Sequence, residues 1–376
     1  MENKKILIIS LYGNNNYGNK LQNYSLQEVL KSYNYDVHTL ISSEDQIPYS
    51  YSDAMKISFG KYIKFLLKKI MSIFRNIIPQ KSNVIENERI SNIKKFDKLI
   101  KKSEIRIDHN NYEKINNNYN YIVFGSDQVW NPNYITNYSL FLGRKISKDK
   151  KFSYAASLGV EKLEDKYKKL YKTLLYGFNE EYISVREDRG AEIINDLNGF
   201  NVEVVLDPTM LLDKSDWLKL AKEPSIKPKK EYILTYILGT QSDSRRKIID
   251  GIANKNNYEV INMMDKSNIE IYNSGVEEFL WYIANANLIL ADSFHAGVFS
   301  ILFEKEFYII NREENLSYSM NSRFDTLLVK FNLEDRFVYK VEDIDLERKI
   351  DYASINKILE EERKKSFEFL DKIIKN

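Results

Sequence analysis

Short β-branched and apolar runs alternate along the chain with longer segments whose apolar positions recur every three to four residues, the periods of strands and of amphipathic helices. In the first half this pattern predicts strands at 6–10, 36–40, 121–125, 152–156, 183–186 and 202–206, and helices at 21–33, 86–102, 164–177 and 188–197. A polar stretch at 222–231 with Pro224 and Pro228 breaks the series and reads as a linker. Beyond it, strands are predicted at 232–238, 258–262, 288–292 and 307–310, with helices beginning at 244, 276 and 296 and a charged amphipathic helix at 352–375. Regular alternation of strand and helix gives an α/β class built on parallel sheets.

A chain of 376 residues is too long for one ordinary core, so two domains are expected. The boundaries fall at 1–222 and 223–345, and 346–376 forms a C-terminal helix that can cross back onto the first domain. The asparagine-rich piece 110–120 reads as a surface loop. Segment 61–78 is predicted as an amphipathic helix with Lys61, Lys64, Lys68 and Arg75 along one side. Such a helix can dock on anionic lipid, and it can equally pack its apolar face on the protein's own core.

Composition narrows the partners. With 43% apolar and 29% charged residues the chain can fill full cores, and a net charge of +2 supplies no overall field for nucleic acid. The absence of Cys removes disulfides, thiolate catalysis and Cys-ligated metals, and His38, His109 and His295 are too few for a His-rich metal site. No apolar stretch nears the roughly 20 residues a membrane helix needs, and the start lacks a signal-peptide pattern, so a cytoplasmic location is expected.

Four motifs carry candidate chemistry. After the first strand, Gly13, Asn16, Gly18 and Lys20 lie in a turn that opens a helix, where backbone N–H groups can receive a phosphate or a sugar; neither GxGxxG nor a Walker lysine is present, and an ordinary turn is as good a reading. Asp127, Gln128 and Trp130 close another strand and offer hydrogen bonds and a stacking face to a sugar, against the alternative of a capped turn with a core indole. Arg186 and Glu187 end a strand in a charge pair, where the arginine is either an anion fork or one half of a structural pair. Asp292, Ser293 and His295 run from an apolar strand into a small-residue helix start, which puts a titratable imidazole beside backbone donors.

In this order, the pieces NYGNKLQNYSLQ, FGSDQVWNP, FSYAASLG, SVRED, VLDPTMLL, DSFHAGVF and SRFDTLL, from Lys5 to Arg336, resemble the polysaccharide pyruvyl transferase family. The resemblance implies two Rossmann-like domains in a GT-B-like arrangement, an acceptor side on the first and a donor side on the second, with the active site in the interdomain cleft. It implies transfer of an enolpyruvyl-derived group from phosphoenolpyruvate to a sugar, free or lipid-linked, of a cell-surface or capsular polysaccharide precursor, usually as a ketal. It carries over to Arg186, Glu187, Asp292, His295 and Arg323, with His295 as acid–base residue, Asp292 orienting its ring or shaping the turn, and Glu187 in reserve. No cofactor is implied beyond the donor substrate, and no metal, because arginines and backbone donors can hold the donor alone. Two positions depart from the family pattern: Asn19 stands where many members have an acidic residue, and Ser293 where many have arginine. Arg323 or Arg312 would then have to supply the missing charge. A nucleotide-sugar glycosyltransferase and a non-catalytic carbohydrate-binding component are the competing readings, since a fold does not fix chemistry.

Overall fold

A computed structural model describes residues 4–13, 16–40, 81–105, 112–135, 138–312 and 322–375. The amphipathic segment 61–78 lies outside them. Two parallel sheets organise the chain. The first has the order β2-β1-β3-β4-β5-β6, from β1 (Lys5–Ile9), β2 (Asp36–Thr39), β3 (Tyr121–Asp127), β4 (Lys151–Ala156), β5 (Ser184–Val185) and β6 (Glu203–Val204). The second runs β11-β10-β9-β7-β8, from β7 (Tyr232–Tyr236), β8 (Glu259–Asn262), β9 (Leu288–Ala291), β10 (Glu306–Ile310) and β11 (Phe337–Val338). Among the described residues no helix is long and apolar enough to cross a membrane.

The helices that matter for the site are α1 (Tyr17–Lys31), α2 (Lys81–Lys94), α3 (Tyr112–Asn118), α4 (Asp188–Asn198), α5 (Val276–Asn285), α6 (Phe294–Leu302), α7 (Ser322–Lys330) and α8 (Tyr352–Ile374). Several depart from the pattern-based limits. Helix α1 begins at Tyr17 because Asn16 caps it, its Oδ1 accepting from the Gly18 N–H at 2.8 Å. Helix α6 begins at Phe294, so His295 sits in the first helical turn and not before it. Part of the asparagine-rich piece is helical, as α3, because Ile115 is fully buried and Tyr119, four positions on, is nearly so; their packing overrides the poor helix propensity of asparagine. Helix α7, which carries Arg323, has no counterpart in the predicted elements.

Each sheet changes direction next to its first strand, between β1 and β3 and between β7 and β9. In open α/β sheets ligands enter at the carboxyl ends of the strands beside such switch points. The register aligns Asp127 with Ala156, and Ala156 with Val185. Ser157 and Arg186 therefore emerge side by side at that edge.

One apolar cluster fills the space between the sheets, drawing on β1, α1, α5, α6, β9 and α8 together. At its centre Tyr17 stacks on Phe279 with centroids 4.4 Å apart, and its hydroxyl donates to the Ser274 carbonyl at 2.8 Å. Helix α8 closes the outer side. The Leu206 N–H donates to Ser366 Oγ at 3.0 Å, Arg363 donates to the Met210 and Leu212 carbonyls, and Tyr33 donates to Asp371.

Because Phe279 is fully buried between Tyr17 and Tyr236, Phe279→Ala is expected to lower unfolding stability by about 3–5 kcal/mol. Val329→Ser, at a position 56% exposed, should stay within about 0.5 kcal/mol. Urea unfolding of both variants checks the contrast.

Candidate active site between the two sheets

On the first sheet, the ends of β3, β5 and β6 converge on one buried carboxylate. Asp207 caps the short turn that follows β6, its Oδ1 accepting from the Thr209 N–H at 3.1 Å and the Thr209 hydroxyl at 2.7 Å. Its Oδ2 accepts from the Ser126 hydroxyl at 2.9 Å and from Arg186 Nη1 at 2.8 Å. Burial alone would raise the Asp207 carboxyl, but His295, Arg186 and Thr209 outweigh it and hold the group well below the usual carboxylate range. Arg186 also reaches Asp127 Oδ1 at 3.3 Å, so its charge is met twice. With the Asn19 amide nitrogen turned toward Asp127 Oδ2, 2.7 Å away, its oxygen accepts from the Gly13 N–H at 3.3 Å, which ties the first loop to the same cluster.

Glu187 faces the neighbouring strand end. Its Oε1 accepts from the Ser157 hydroxyl at 3.0 Å and from the Leu158 and Gly159 N–H groups at 2.8 and 3.0 Å, while its buried Oε2 has no partner among the described residues.

The second sheet contributes the helix starts. His295 Nε2 lies 3.7 Å from Asp207 Oδ2, too long for a direct hydrogen bond and close enough for charge to matter. On the other side of the ring, a Cβ placed on Gly18 would fall 2.1 Å from Nδ1. The glycine is what lets α1 and α6 meet at the imidazole. Phe294 supports two guanidinium groups, Arg186 at 4.1 Å and Arg323 at 5.9 Å from its ring centre. Arg323 differs from Arg186 in having no ion pair among the described residues, and its Nε is buried without a partner. Burial first, and then repulsion from Arg186, lowers its pKa to about 10, with Asp127 and Glu187 acting in the opposite direction. Ser322 beside it also has a buried hydroxyl without a partner among the described residues.

Several candidates from the sequence have other work. Trp130 is fully buried, its indole donates to the Phe141 carbonyl at 2.9 Å and its ring meets the edge of Phe178; it is a core residue and presents no stacking face to a sugar. Lys20 is buried, with Nζ 2.7 Å from Asp97 and 3.6 Å from the centre of the Tyr12 ring, and it anchors the first loop to the chain after α2. Gln128 accepts from Asn131 Nδ2 at 2.6 Å within its own loop. Asn16 is the cap of α1. Ser293 is the residue before α6 and makes no capping bond with its side chain.

Asp292 does not orient the imidazole. Its two oxygens accept from the Leu238 and Gly239 N–H groups at 2.7 and 2.8 Å, and Arg312 Nε lies 2.9 Å from Oδ2. It shapes the turn across the β7–β9 switch point and occupies Arg312, which leaves Arg323 as the available charge. Asp207, in contrast, was not singled out as a site residue from the sequence. Its signal was an Asp-Pro pair directly after an apolar strand, a common turn pattern.

Alanine in place of glycine inside a helix ordinarily stabilises by about 0.5–1 kcal/mol. At Gly18 the added Cβ collides with His295, so Gly18→Ala is expected to move the His295 ring signals in an NMR spectrum while those of His38, on β2, stay in place.

The family model for polysaccharide pyruvyl transferase matches residues 16–314. No curated protein matches the chain. Among solved structures, a UDP-GlcNAc 2-epimerase from Methanocaldococcus jannaschii in complex with UDP-GlcNAc and UDP is 12% identical, with a TM-score of 0.46 over 96% of this chain and 92% of that one. A glycosyltransferase from Rickettsia africae ESF-5 is 11% identical, with a TM-score of 0.46 over 100% of both chains. The matched family span contains Asp127, Arg186, Glu187, Asp207 and His295 in the arrangement above, and the chain belongs to the polysaccharide pyruvyl transferase family.

Proposed function

We propose that the chain transfers a pyruvyl-derived group from phosphoenolpyruvate to a sugar of a cell-surface or capsular polysaccharide precursor, free or lipid-linked, in the cytoplasm. The observation that carries this reading is Arg323, a buried guanidinium with no carboxylate partner among the described residues. A buried, unpaired cation is costly unless a ligand anion completes it. Phosphoenolpyruvate offers a phosphate and a carboxylate, and a planar guanidinium fits either as a fork. The Ser322 hydroxyl and Arg186 Nε, both buried without partners among the described residues, have donor hydrogens left for the same ligand. Arg186 keeps its charge for Asp127 and Asp207, so the larger share of donor affinity is assigned to Arg323. These side chains meet the donor's charge without a cofactor or metal.

The chemistry balances as follows. A sugar hydroxyl adds to C2 of the enol phosphate while the C3 methylene takes a proton and becomes a methyl group. A second hydroxyl then adds to C2 as phosphate leaves, and the two protons released by the hydroxyls replace the one delivered to carbon and accompany the phosphate. His295, at the meeting of the two sheets, is the residue suited to deliver and recover that proton near neutral pH. Glu187 Oε2 is the second group with a free lone pair on the same edge.

Calorimetry with phosphoenolpyruvate and with a panel of nucleotide-sugars separates this reading from glycosyl transfer. Binding of phosphoenolpyruvate, reduced about tenfold or more in Arg323→Lys, is expected; binding of nucleotide-sugars alone would overturn it. His295→Gln should keep donor affinity within about threefold and lower turnover by about 10²–10⁴-fold, read as phosphate release in the presence of acceptor.

A further inference from the structure

Asp207 is a buried carboxylate that meets groups from both halves of the molecule. It is faced by Ser126 from β3, by Arg186 after β5, by Thr209 in its own turn and, across the boundary between the sheets, by His295 from α6. Tyr154 lies beneath the same segment and donates to the Leu206 carbonyl at 3.0 Å. Three of these contacts account for the fold around Asp207. The fourth does not, because His295 is already anchored by its helix and by packing on Gly18 and Phe294.

We propose that Asp207 is a positioning residue for the imidazole of His295: it selects the tautomer that carries hydrogen on Nε2 and leaves the Nδ1 lone pair for proton exchange with substrate. The inference rests on the proposed role of His295 as proton carrier. Its physical basis is the direction of the charges. Nε2 is buried and has no hydrogen-bond partner among the described residues, and the carboxylate oxygen it faces is 3.7 Å away. A lone pair on Nε2 would point at a negative oxygen in a low-dielectric site, whereas an N–H there is attracted to it. The first turn of α6 disfavours added positive charge on the ring, and Asp207 is the anion placed to offset it when the imidazole takes up a proton. Asp207 is suited to this because its two oxygens are also held in place by other groups: Thr209 holds Oδ1, and Ser126 and Arg186 hold Oδ2. Fixing the tautomer of a catalytic imidazole through one nitrogen, so that the other does the chemistry, is a recurring use of a buried carboxylate. Asp292, the acid nearest in sequence, is excluded from it by its bonds to Leu238, Gly239 and Arg312.

The test is a long-range ¹H–¹⁵N spectrum of the full-length protein labelled at its 3 histidines, with His295 assigned by loss of its signals in His295→Gln. With the ring neutral, Nε2 is expected to give the protonated-type signal and Nδ1 the unprotonated type; the reverse pattern overturns the proposal. In Asp207→Asn the two forms should mix. With phosphoenolpyruvate and an acceptor, the same variant should lose about 10²–10⁴-fold in kcat with donor KM within about twofold, and Asp207→Glu should recover part of that loss. A variant that keeps both the tautomer and kcat overturns the assignment. If Asp207→Asn does not fold, the spectrum of the unaltered protein decides, together with Thr209→Val, which removes only the 2.7 Å bond to Oδ1 and should leave the Nε2–H form in place. The spectrum needs no substrate: an Nε2–H ring in a protein that transfers no pyruvyl group supports the role of Asp207 and counts against the proposed function alone.

Discussion

The buried pair of Arg186 and Asp207 is the interaction on which the site depends. Both side chains are almost completely excluded from solvent, and removing one member of such a pair leaves an uncompensated charge, at a cost of about 3–5 kcal/mol. The pair persists because each partner has further bonds: Asp127 on the guanidinium, Ser126 and Thr209 on the carboxylate. It locks three strand ends into one rigid edge. The first sheet can therefore present Glu187, Asp127 and Ser157 at fixed positions without support from a ligand.

That edge is also held from outside. Helix α8 contributes Ser366, whose Oγ accepts from the Leu206 N–H, and Arg363, which donates to the Met210 and Leu212 carbonyls. The segment bearing Asp207 is thus clamped on both flanks. The same helix is bonded to the second half of the chain, through Glu362 with Lys330 of α7 and through Asn356 with Glu304. Arg323 stands at the opposite end of α7 from Lys330. One helix therefore fixes the relative positions of the balanced arginine and the unbalanced one, while the apolar layer around Tyr17 and Phe279 fixes the distance between the sheets.

The two arginines over Phe294 show how a site can be charged for a ligand and still fold. Arg186 is neutralised internally and stiffens the edge. Arg323 is left with a ring face, two more distant carboxylates and a repulsive neighbour. Its burial is tolerable because guanidinium is weakly hydrated and stacks on aromatic faces. The unmet polarity that remains on it is what the proposed donor would complete.

The alternation of strands and helices and the placement of Arg186 directly after a strand were legible in the sequence, because they follow from local periodicity and from residues close in the chain. The departures have the same origin in reverse. For Trp130 and Lys20 the sequence left a ligand-facing and a structural reading equally open, because nothing local shows that Phe141, Phe178, Asp97 and Tyr12 enclose them. Asp292 and Asp207 have similar local settings, each an aspartate after an apolar strand. Only the packing of the sheets decides that Asp292 is taken up by the Leu238 and Gly239 N–H groups and Arg312, and that Asp207 meets His295, 88 residues further on, across the boundary between the sheets. Charge balance is a property of neighbours in space, so the sequence could name the arginines, and the tertiary structure alone could say which of them has no ion pair among the described residues.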